Sequence, residues 1–284
     1  MRLALISAIA GSIAWLQAAE TPPAPKPDGW SVNGKFGFWF QGVSSSHADT
    51  SRDPTISTAS NTLNYAVGGE VNALWKRSVH EVEQNLKTKY GRQRQDDGAW
   101  ITASDEINYQ GVYRTVWTAP QFTYIGWGTE TVFVGPAPQR DAFGQGRSWV
   151  SAGYGLKREP LFMSDAKGEI RAGVRGQKKW GDGYTDRERQ ATVGPEWFAR
   201  YEAKLKTDVK CYAQYEGTSD FKDMHHVTNL VTAGIFVQLS KYFTLDVAYR
   251  AYEEERPKYA VADAPGYGQW SMRSETLIGL VYSF

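Results

Sequence analysis

The stretch HEVEQNLKTKYG, residues 80–91, carries the pattern that decides the fold. Its larger apolar residues, Val82, Leu86 and Tyr90, fall on one side of an extended chain. The polar residues that alternate with them fall on the other side: Glu81, Glu83, Asn85, Lys87 and Lys89. Because side chains alternate between two faces in a strand, this stretch predicts a β-strand with one apolar and one charged face. A helix, with 3.6 residues per turn, would mix the two sets.

The same alternation recurs along the chain and predicts twelve strands. Their expected ranges are 30–40, 61–75, 80–91, 101–115, 121–134, 147–158, 168–180, 190–205, 208–216, 227–239, 243–253 and 269–284. The fifth is ambiguous, because FTYIGW is apolar on both faces. Short connections are expected near 77, 118, 161, 206 and 241, and long ones near 52, 96, 140, 185, 221 and 261.

Long and short connections in strict alternation are typical of bacterial outer-membrane barrels. Beyond residue 19 no apolar run is long enough for a membrane helix, and lipid tolerates a sheet only when it is closed. We therefore predict an all-β fold, a transmembrane antiparallel up-and-down β-barrel of about twelve strands. Short turns and both termini are expected in the periplasm and long loops outside. The alternative is a soluble β-sandwich, which would turn its apolar faces toward a core.

The N-terminus reads as a targeting signal followed by a spacer. A positive start, an apolar run over residues 3–16 and small residues at 18–19 predict a signal peptide over residues 1–19. Residues 20–29 are rich in proline and predict an extended periplasmic spacer, which leaves residues 30–284 for the barrel. The formal net charge of +1 produces no overall positive electrostatic field that would attract nucleic acid.

The expected lumen face is heavily charged with both signs. Its candidates are Glu70, Glu81, Glu83, Lys87, Lys89, Glu106, Arg114, Arg171, Arg175, Lys179, Glu196, Arg200, Glu202, Asp246, Arg250 and Glu275. Two interpretations stay open: a lumen filled by ion pairs, or a narrow selective pore. Arg171, Arg175 and Lys179 form a basic comb on the seventh strand. If Glu196 and Glu202 neutralise it, the comb is structural; otherwise it favours anionic solutes.

A lipid hydrolase of the twelve-stranded phospholipase type is the alternative function. It requires a hydrogen-bonded Ser–His pair with an orienting third group, and the chain has four histidines, at 47, 80, 225 and 226. Serines beside His47 in a loop do not establish such a pair, and adjacent histidines in a strand would face opposite ways. We therefore expect no catalytic residues, no metal site and no cofactor.

The stretch ETLIGLVYSF, residues 275–284, alternates to the end of the sequence. Residues 276, 278, 280, 282 and 284 are expected to face lipid, and the strand is expected to pair with GKFGFWF and close the barrel. Leu280, Tyr282 and Phe284 resemble the signal read by the barrel-assembly machinery. Expected partners are this machinery, outer-membrane lipid and lipopolysaccharide, and small solutes or ions.

The C-terminal half carries a family likeness. HHVTNLVTAGIFVQLSKYFTLDVAYRAYEEERP, followed by ETLIGLVYSF, resembles the bacterial salt-induced outer-membrane protein family, and so does WKRSVHEVEQNLKTKYGRQ. The resemblance covers most of residues 60–284 and implies an outer-membrane barrel with a role in osmotic stress, without catalytic residues to transfer. The expected function is a non-enzymatic barrel, either a narrow solute or ion pore or an envelope-stability protein.

Overall fold

The computed structural model describes residues 28–57, 62–94, 100–134, 143–181, 184–260 and 265–283. Within these ranges there are twelve strands and one short helix, α1 (Pro54–Ser57). The strands are β1 (Gly29–Ser46), β2 (Thr62–Arg77), β3 (His80–Arg94), β4 (Trp100–Thr118), β5 (Gln121–Thr131), β6 (Gln145–Arg158), β7 (Ala166–Gly181), β8 (Thr192–Lys206), β9 (Val209–Asp220), β10 (Asp223–Gln238), β11 (Phe243–Glu254) and β12 (Ser271–Ser283). The predicted signal peptide, most of the spacer and Phe284 lie outside the described residues.

Every strand pairs antiparallel with its neighbour in sequence, and β12 returns to pair with β1. Phe38 of β1 lies opposite Val67 of β2 on one side and Leu280 of β12 on the other. The sheet therefore closes on itself without an edge, and the predicted twelve-stranded antiparallel barrel is confirmed. In the described residues no helix combines the length and apolarity needed to cross a membrane.

The outer wall is apolar. On β1, Phe36, Phe38 and Phe40 are 62%, 42% and 67% exposed, whereas Gly37 and Trp39 between them are buried. From Trp30 to Phe40 the outward face of β1 spans ten residues, about 34 Å along the strand at about 3.4 Å per residue. A strand tilted by roughly 40° converts this length to about 25 Å, the height of the apolar band on outer-membrane barrels.

The two rims of the barrel differ. The loop rim carries the connections 47–61, 95–99, 132–144, 182–191, 221–222 and 255–270. The turn rim carries the connections 78–79, 119–120, 159–165, 207–208 and 239–242. Four of the six predicted long connections have ten residues or more, whereas 95–99 has five and 221–222 has two.

Two local predictions need correction. The connection near 221 is a two-residue turn, because the polar residues expected in a loop continue β9 to Asp220 and open β10 at Asp223. The ambiguous fifth strand has a definite orientation: Phe122 and Tyr124 point inward, with 1% and 3% exposure. They do so because arginines of the neighbouring wall pack on their rings, as with Arg171 over Tyr124.

Candidate functional site: the lumen and its plug segment

The connection after β1 folds into the barrel instead of away from it. We call residues 47–57 the plug segment; it includes α1, which packs against β4, β5 and β12. Asp53, Thr55 and Ile56 have no solvent exposure. Ile56 joins Leu230 and Tyr252, on the inner faces of β10 and β11, in a small apolar cluster. A segment continuous with a rim loop thus reaches opposite walls of the lumen.

Local sequence explains why the segment turns here. The Asp53 carboxylate accepts hydrogen bonds from the backbone N–H groups of Thr55 and Ile56, at 3.0 and 3.1 Å. This is the capping arrangement that starts a helix, and Pro54 occupies the first helical position, where its missing N–H costs no hydrogen bond. One carboxylate therefore both shapes α1 and, through its second oxygen, remains available to the wall.

Asp53 is the electrostatic anchor of the plug segment. Its carboxylate accepts from Arg250 of β11 at 2.7 Å and lies 3.8 Å from Arg147 of β6. Glu130 of β5 pairs with the same two arginines, at 2.7 and 3.0 Å. Burial alone would raise the pKa of the Asp53 carboxyl, but Arg250 and Arg147 hold it well below its usual range. The four groups form a balanced, buried cluster across the lumen.

Two further contacts fasten the segment. Arg273 of β12 donates to the carbonyl oxygen of Thr55 at 2.7 Å. Arg52 forms an ion pair with Glu188 and stacks over the ring of Tyr267, with 4.4 Å between its guanidinium carbon and the ring centroid. Both Glu188 and Tyr267 belong to loop-rim connections, so the plug segment is tied to the wall and to its neighbouring loops.

A second buried cluster seals the wall beside the plug segment. Glu254, 1% exposed on its side chain, accepts hydrogen bonds from Lys179 at 2.6 Å and from Tyr252 at 2.7 Å. His226 lies 2.8 Å from the same carboxylate. Lys89 and Glu275, both nearly buried, form another ion pair in this half of the lumen. The loop half of the lumen is therefore closed by ion pairs that have little access to water.

The turn half of the lumen is more open. Lys35, Glu70 and Arg200, which also face inward, keep 28%, 27% and 36% of their side-chain surface exposed. They remain paired: Lys35 lies 3.4 Å from Glu70, and Arg200 pairs with Glu202. The lumen is thus a charged chamber that opens toward the turn rim and ends at the plug segment.

The structure places all sixteen candidate lumen charges on the inner face. Each takes part in at least one ion pair. The pairs not yet mentioned are Glu81–Lys157, Glu83–Arg114, Lys87–Glu106, Arg114–Glu169, Arg171–Glu169, Arg175–Glu196 and Lys35–Asp246. Every candidate charge of the chamber therefore has a partner of opposite sign, although the pairs differ in strength.

The basic comb is neutralised unevenly. Arg175 lies 3.5 Å from Glu196 and 3.3 Å from Glu216, and Lys179 is bound by Glu254. Glu202 does not reach the comb as the sequence suggested; it pairs with Arg200 and Lys167 instead. Arg171 is the least neutralised of the three, because its partner Glu169, 3.2 Å from Nε, also accepts two hydrogen bonds from Arg114.

Sequence reasoning missed the residues that close the lumen. Asp53, Glu130, Arg147 and Glu254 were not among the candidates, and Arg273 was not given a role in closure. The alternation places Glu130 and Arg147 inward, so their orientation was available from the strand pattern. The Asp53–Pro54 pair is a helix-start signal that was available too. The inward path of the plug segment was not, because it depends on partners distant in sequence.

The histidines do not assemble a hydrolase site in the described part of the chain. His47 Nδ1 lies 3.0 Å from Ser46 Oγ, but no side-chain carboxylate or amide among the described residues bonds to its ring. His80 Nδ1 lies 2.7 Å from the Tyr113 hydroxyl, and His226 is engaged with Glu254. His225 is exposed. In the same residues no group of three or more His, Cys, Asp or Glu side chains is placed to hold a metal.

Comparison with known proteins gives only distant likenesses. No family model matches the chain. No curated protein matches it either. Among solved structures, the anion-selective porin from Comamonas acidovorans is 10% identical, covers 90% of this chain and 99% of its own, and has a TM-score of 0.38.

Two other solved structures give similar values. An outer-membrane channel from Pseudomonas putida F1 is 11% identical, covers 93% of this chain and 100% of its own, and has a TM-score of 0.43. Outer-membrane phospholipase A from Escherichia coli is 11% identical, covers 93% and 95%, and has a TM-score of 0.40. At these values the likenesses carry no argument, and none supports the salt-induced family, whose resemblance stays a prediction.

Proposed function

We propose that this chain is a non-enzymatic outer-membrane barrel that forms a narrow solute or ion pore, closed at the loop rim by the plug segment. The closed sheet and the apolar band about 25 Å tall support a membrane location, because a closed barrel leaves no unpaired backbone in lipid. In this proposal the long connections lie outside the cell, and the short turns and both termini lie in the periplasm. Lipopolysaccharide and the assembly machinery are its surface and biogenesis partners.

The plug segment is the observation that carries the pore proposal. A barrel that served only as a membrane anchor would gain most from an interior packed with apolar side chains, since buried ion pairs stabilise little once desolvation is counted. Here the interior is a charged chamber, and the plug segment closes it at the loop rim. Most of the side-chain contacts that fix the segment are ion pairs and hydrogen bonds, which can exchange for water when the segment moves.

Envelope stability is the second candidate, and the ion pairs themselves favour it. They link strands that are not neighbours: Arg250–Glu130 joins β11 to β5 on the opposite side of the barrel, and Lys179–Glu254 joins β7 to β11. Cross-wall links of this kind would stiffen the barrel without any passage of solute. The osmotic-stress role implied by the family resemblance belongs with this candidate.

Conductance separates the two candidates. The purified barrel is incorporated into planar bilayers beside a variant in which residues 49–57 are replaced by two glycines. We expect rare, brief openings for the unaltered chain and steady conductance for the variant, because the variant lacks the anchor at Asp53 and the whole of α1. Heat-dependent gel mobility verifies that both barrels are folded. If the folded variant is as silent as the parent, the pore proposal fails and envelope stability is favoured.

A further inference from the structure

The turn rim carries a group of exposed lysines between β8 and β11. Lys204, Lys206 and Lys210 lie on the β8–β9 hairpin, and Lys241 lies in the turn between β10 and β11. All four are exposed, and within the described part of the chain none of them pairs with a carboxylate. We call these four residues the lysine sector. They differ from the lumen charges, each of which has a partner.

Few negative charges oppose the lysine sector. Asp208 lies in the β8–β9 turn and Asp165 in the preceding turn, so two carboxylates face four lysines. Lys204 and Lys210 are also direct cross-strand partners. Like charges directly opposite each other destabilise a sheet, and an anion held at this rim would offset that cost.

A β-bulge turns one lysine of the sector toward the outer wall. The pairing of β8 with β9 skips one residue between Lys204 and Lys206, which puts Lys206 opposite Val209. Val209 lies opposite Val237 of β10, on the same face as the exposed Ile235. Bulges commonly redirect a side chain in this way. Lys206 therefore points to the outer face of the barrel, whereas Lys204 points to the lumen.

The two lysine-bearing turns contact each other. The backbone N–H of Gln238, at the end of β10, donates to the carbonyl oxygen of Asp208 at 2.8 Å. This bond joins the β8–β9 turn to the strand that leads into the turn of Lys241. Lys206 and Lys241 therefore flank the same part of the rim.

The outer wall next to these lysines is apolar and exposed. Its large side chains here are Leu205, Leu239, Tyr242 and Phe243, each about half exposed. Lys241 Nζ lies 5.0 Å from the centroid of the Tyr242 ring, so this cation sits at the border between the aromatic wall and the rim. Positive charge and apolar surface are thus adjacent on the outside of the barrel.

An anionic phospholipid has the two parts that this surface can bind. A soluble anion would use only the lysines, and an uncharged lipid would use only the wall. Basic residues at the edge of a membrane-spanning surface attract anionic headgroups, while the wall beside them contacts the acyl chains. In the proposed orientation the sector lies at the periplasmic leaflet.

We infer that the lysine sector binds the headgroup of an anionic phospholipid, whose acyl chains lie along Leu205, Leu239 and Phe243. Lys206 and Lys241 contact the phosphate, and Lys204 and Lys210 add positive potential from the lumen side. The inference rests on the proposed membrane location, because it requires the outer wall to face lipid. It does not depend on whether the lumen conducts.

Native mass spectrometry of the detergent-purified barrel tests the site, because it counts the lipids that each barrel retains. The probes are cardiolipin, phosphatidylglycerol and phosphatidylethanolamine, and we expect retention to fall in that order with headgroup charge. The double variant Lys206→Gln/Lys241→Gln should weaken retention of the two anionic lipids by roughly thirtyfold, since each lysine near an anionic headgroup contributes about fivefold. Neither lysine has a carboxylate partner, so the fold should persist.

The matched control is Lys178→Gln/Lys222→Gln. These two lysines are exposed near the loop rim, and the change removes the same charge from the opposite end of the barrel. Retention of phosphatidylglycerol should stay within about twofold of the parent, because charges more than a Debye length away are screened. An equal loss in both double variants would show a general effect of net charge and would overturn the site. Unchanged retention in Lys206→Gln/Lys241→Gln would overturn it as well.

Two further measurements distinguish a lipid from a free anion. Inorganic phosphate should not displace phosphatidylglycerol, because phosphate has no apolar part. The variant Leu205→Ser/Leu239→Ser keeps every lysine and should weaken phosphatidylglycerol retention by about fivefold or more, since it removes apolar contact area. Heat-dependent gel mobility verifies that each variant is folded. Displacement by phosphate, or unchanged retention in this folded variant, would contradict the lipid site.

The lipid site and the pore fail independently. Lipid retention needs no open pore, so retention without conductance would remove the pore proposal alone. Conductance without selective retention of anionic lipid would remove this site alone.

Discussion

Asp53→Asn tests the closure of the lumen most directly. Asparagine keeps a side-chain oxygen that can accept from the N–H groups of Thr55 and Ile56, so the cap of α1 is retained. What it removes is the negative charge that Arg250 and Arg147 bind. The substitution therefore separates the anchoring role of Asp53 from its capping role.

The magnitude follows from the buried contacts. Removing one partner of a buried ion pair typically costs about 3–5 kcal/mol, because the other charge is left uncompensated. Here Glu130 still binds both arginines, so we expect the lower end, about 3 kcal/mol. At about 1.4 kcal/mol for each factor of ten, the ratio of closed to open barrels should fall by roughly a hundredfold.

Single-channel recording measures this ratio as the fraction of time spent open. Asp49→Asn is the control, since Asp49 is an exposed residue of the same plug segment and the change removes the same charge. We expect the control to match the parent. Asp53→Ala, which also removes the cap, should open the barrel further by about 1 kcal/mol, the usual value of a helix cap.

One result would refute the reasoning. If Asp53→Asn is folded and conducts no more often than Asp49→Asn, the carboxylate of Asp53 does not hold the lumen closed. A parent barrel that is already open most of the time would contradict it as well, because the anchor would then have nothing to release.

Three further predictions concern pH, stability and catalysis. The pKa of the Asp53 carboxyl is lowered in the folded protein. The ionised carboxylate therefore stabilises the closed barrel at every pH above its ordinary pKa of about 3.9, and this stabilisation is lost only as the pH falls through the lower folded value. Single-channel recording should show no rise in open probability between pH 7 and pH 5. Trp39→Ala should lower the free energy of unfolding by about 3–5 kcal/mol in urea titrations, because Trp39 packs with Leu277 on the inner side of the β1–β12 seam; a change below about 1 kcal/mol would contradict this. The purified barrel and its His47→Ala variant should both fail to hydrolyse phospholipid. A measurable rate that His47→Ala abolishes would support the alternative function as a lipid hydrolase.

The strand pattern determined the faces of this barrel. Because side chains alternate with a period of two, Val82 and Leu86 had to point to one face of the strand and Glu83 and Lys87 to the other, wherever the strand was placed. The apolar set suits lipid and the charged set suits a lumen, so the closed sheet followed from local sequence together with the demand for satisfied backbone. The strand pattern could not orient FTYIGW, since both of its faces are apolar. Only the arginines around Phe122 and Tyr124 decide that these two side chains point inward.

The plug segment was decided by tertiary structure alone. The residues around Asp53 read as a polar loop, and polar loops usually lie in solvent. Asp53 enters the barrel because Arg250, 197 residues away, and Arg147 converge at one level of the lumen once the sheet closes. Local periodicity states which way each side chain points, but it carries no information on which strands meet across the lumen. That information arises only when closure brings distant charges together, and their need for partners in a space with little water draws the segment inside.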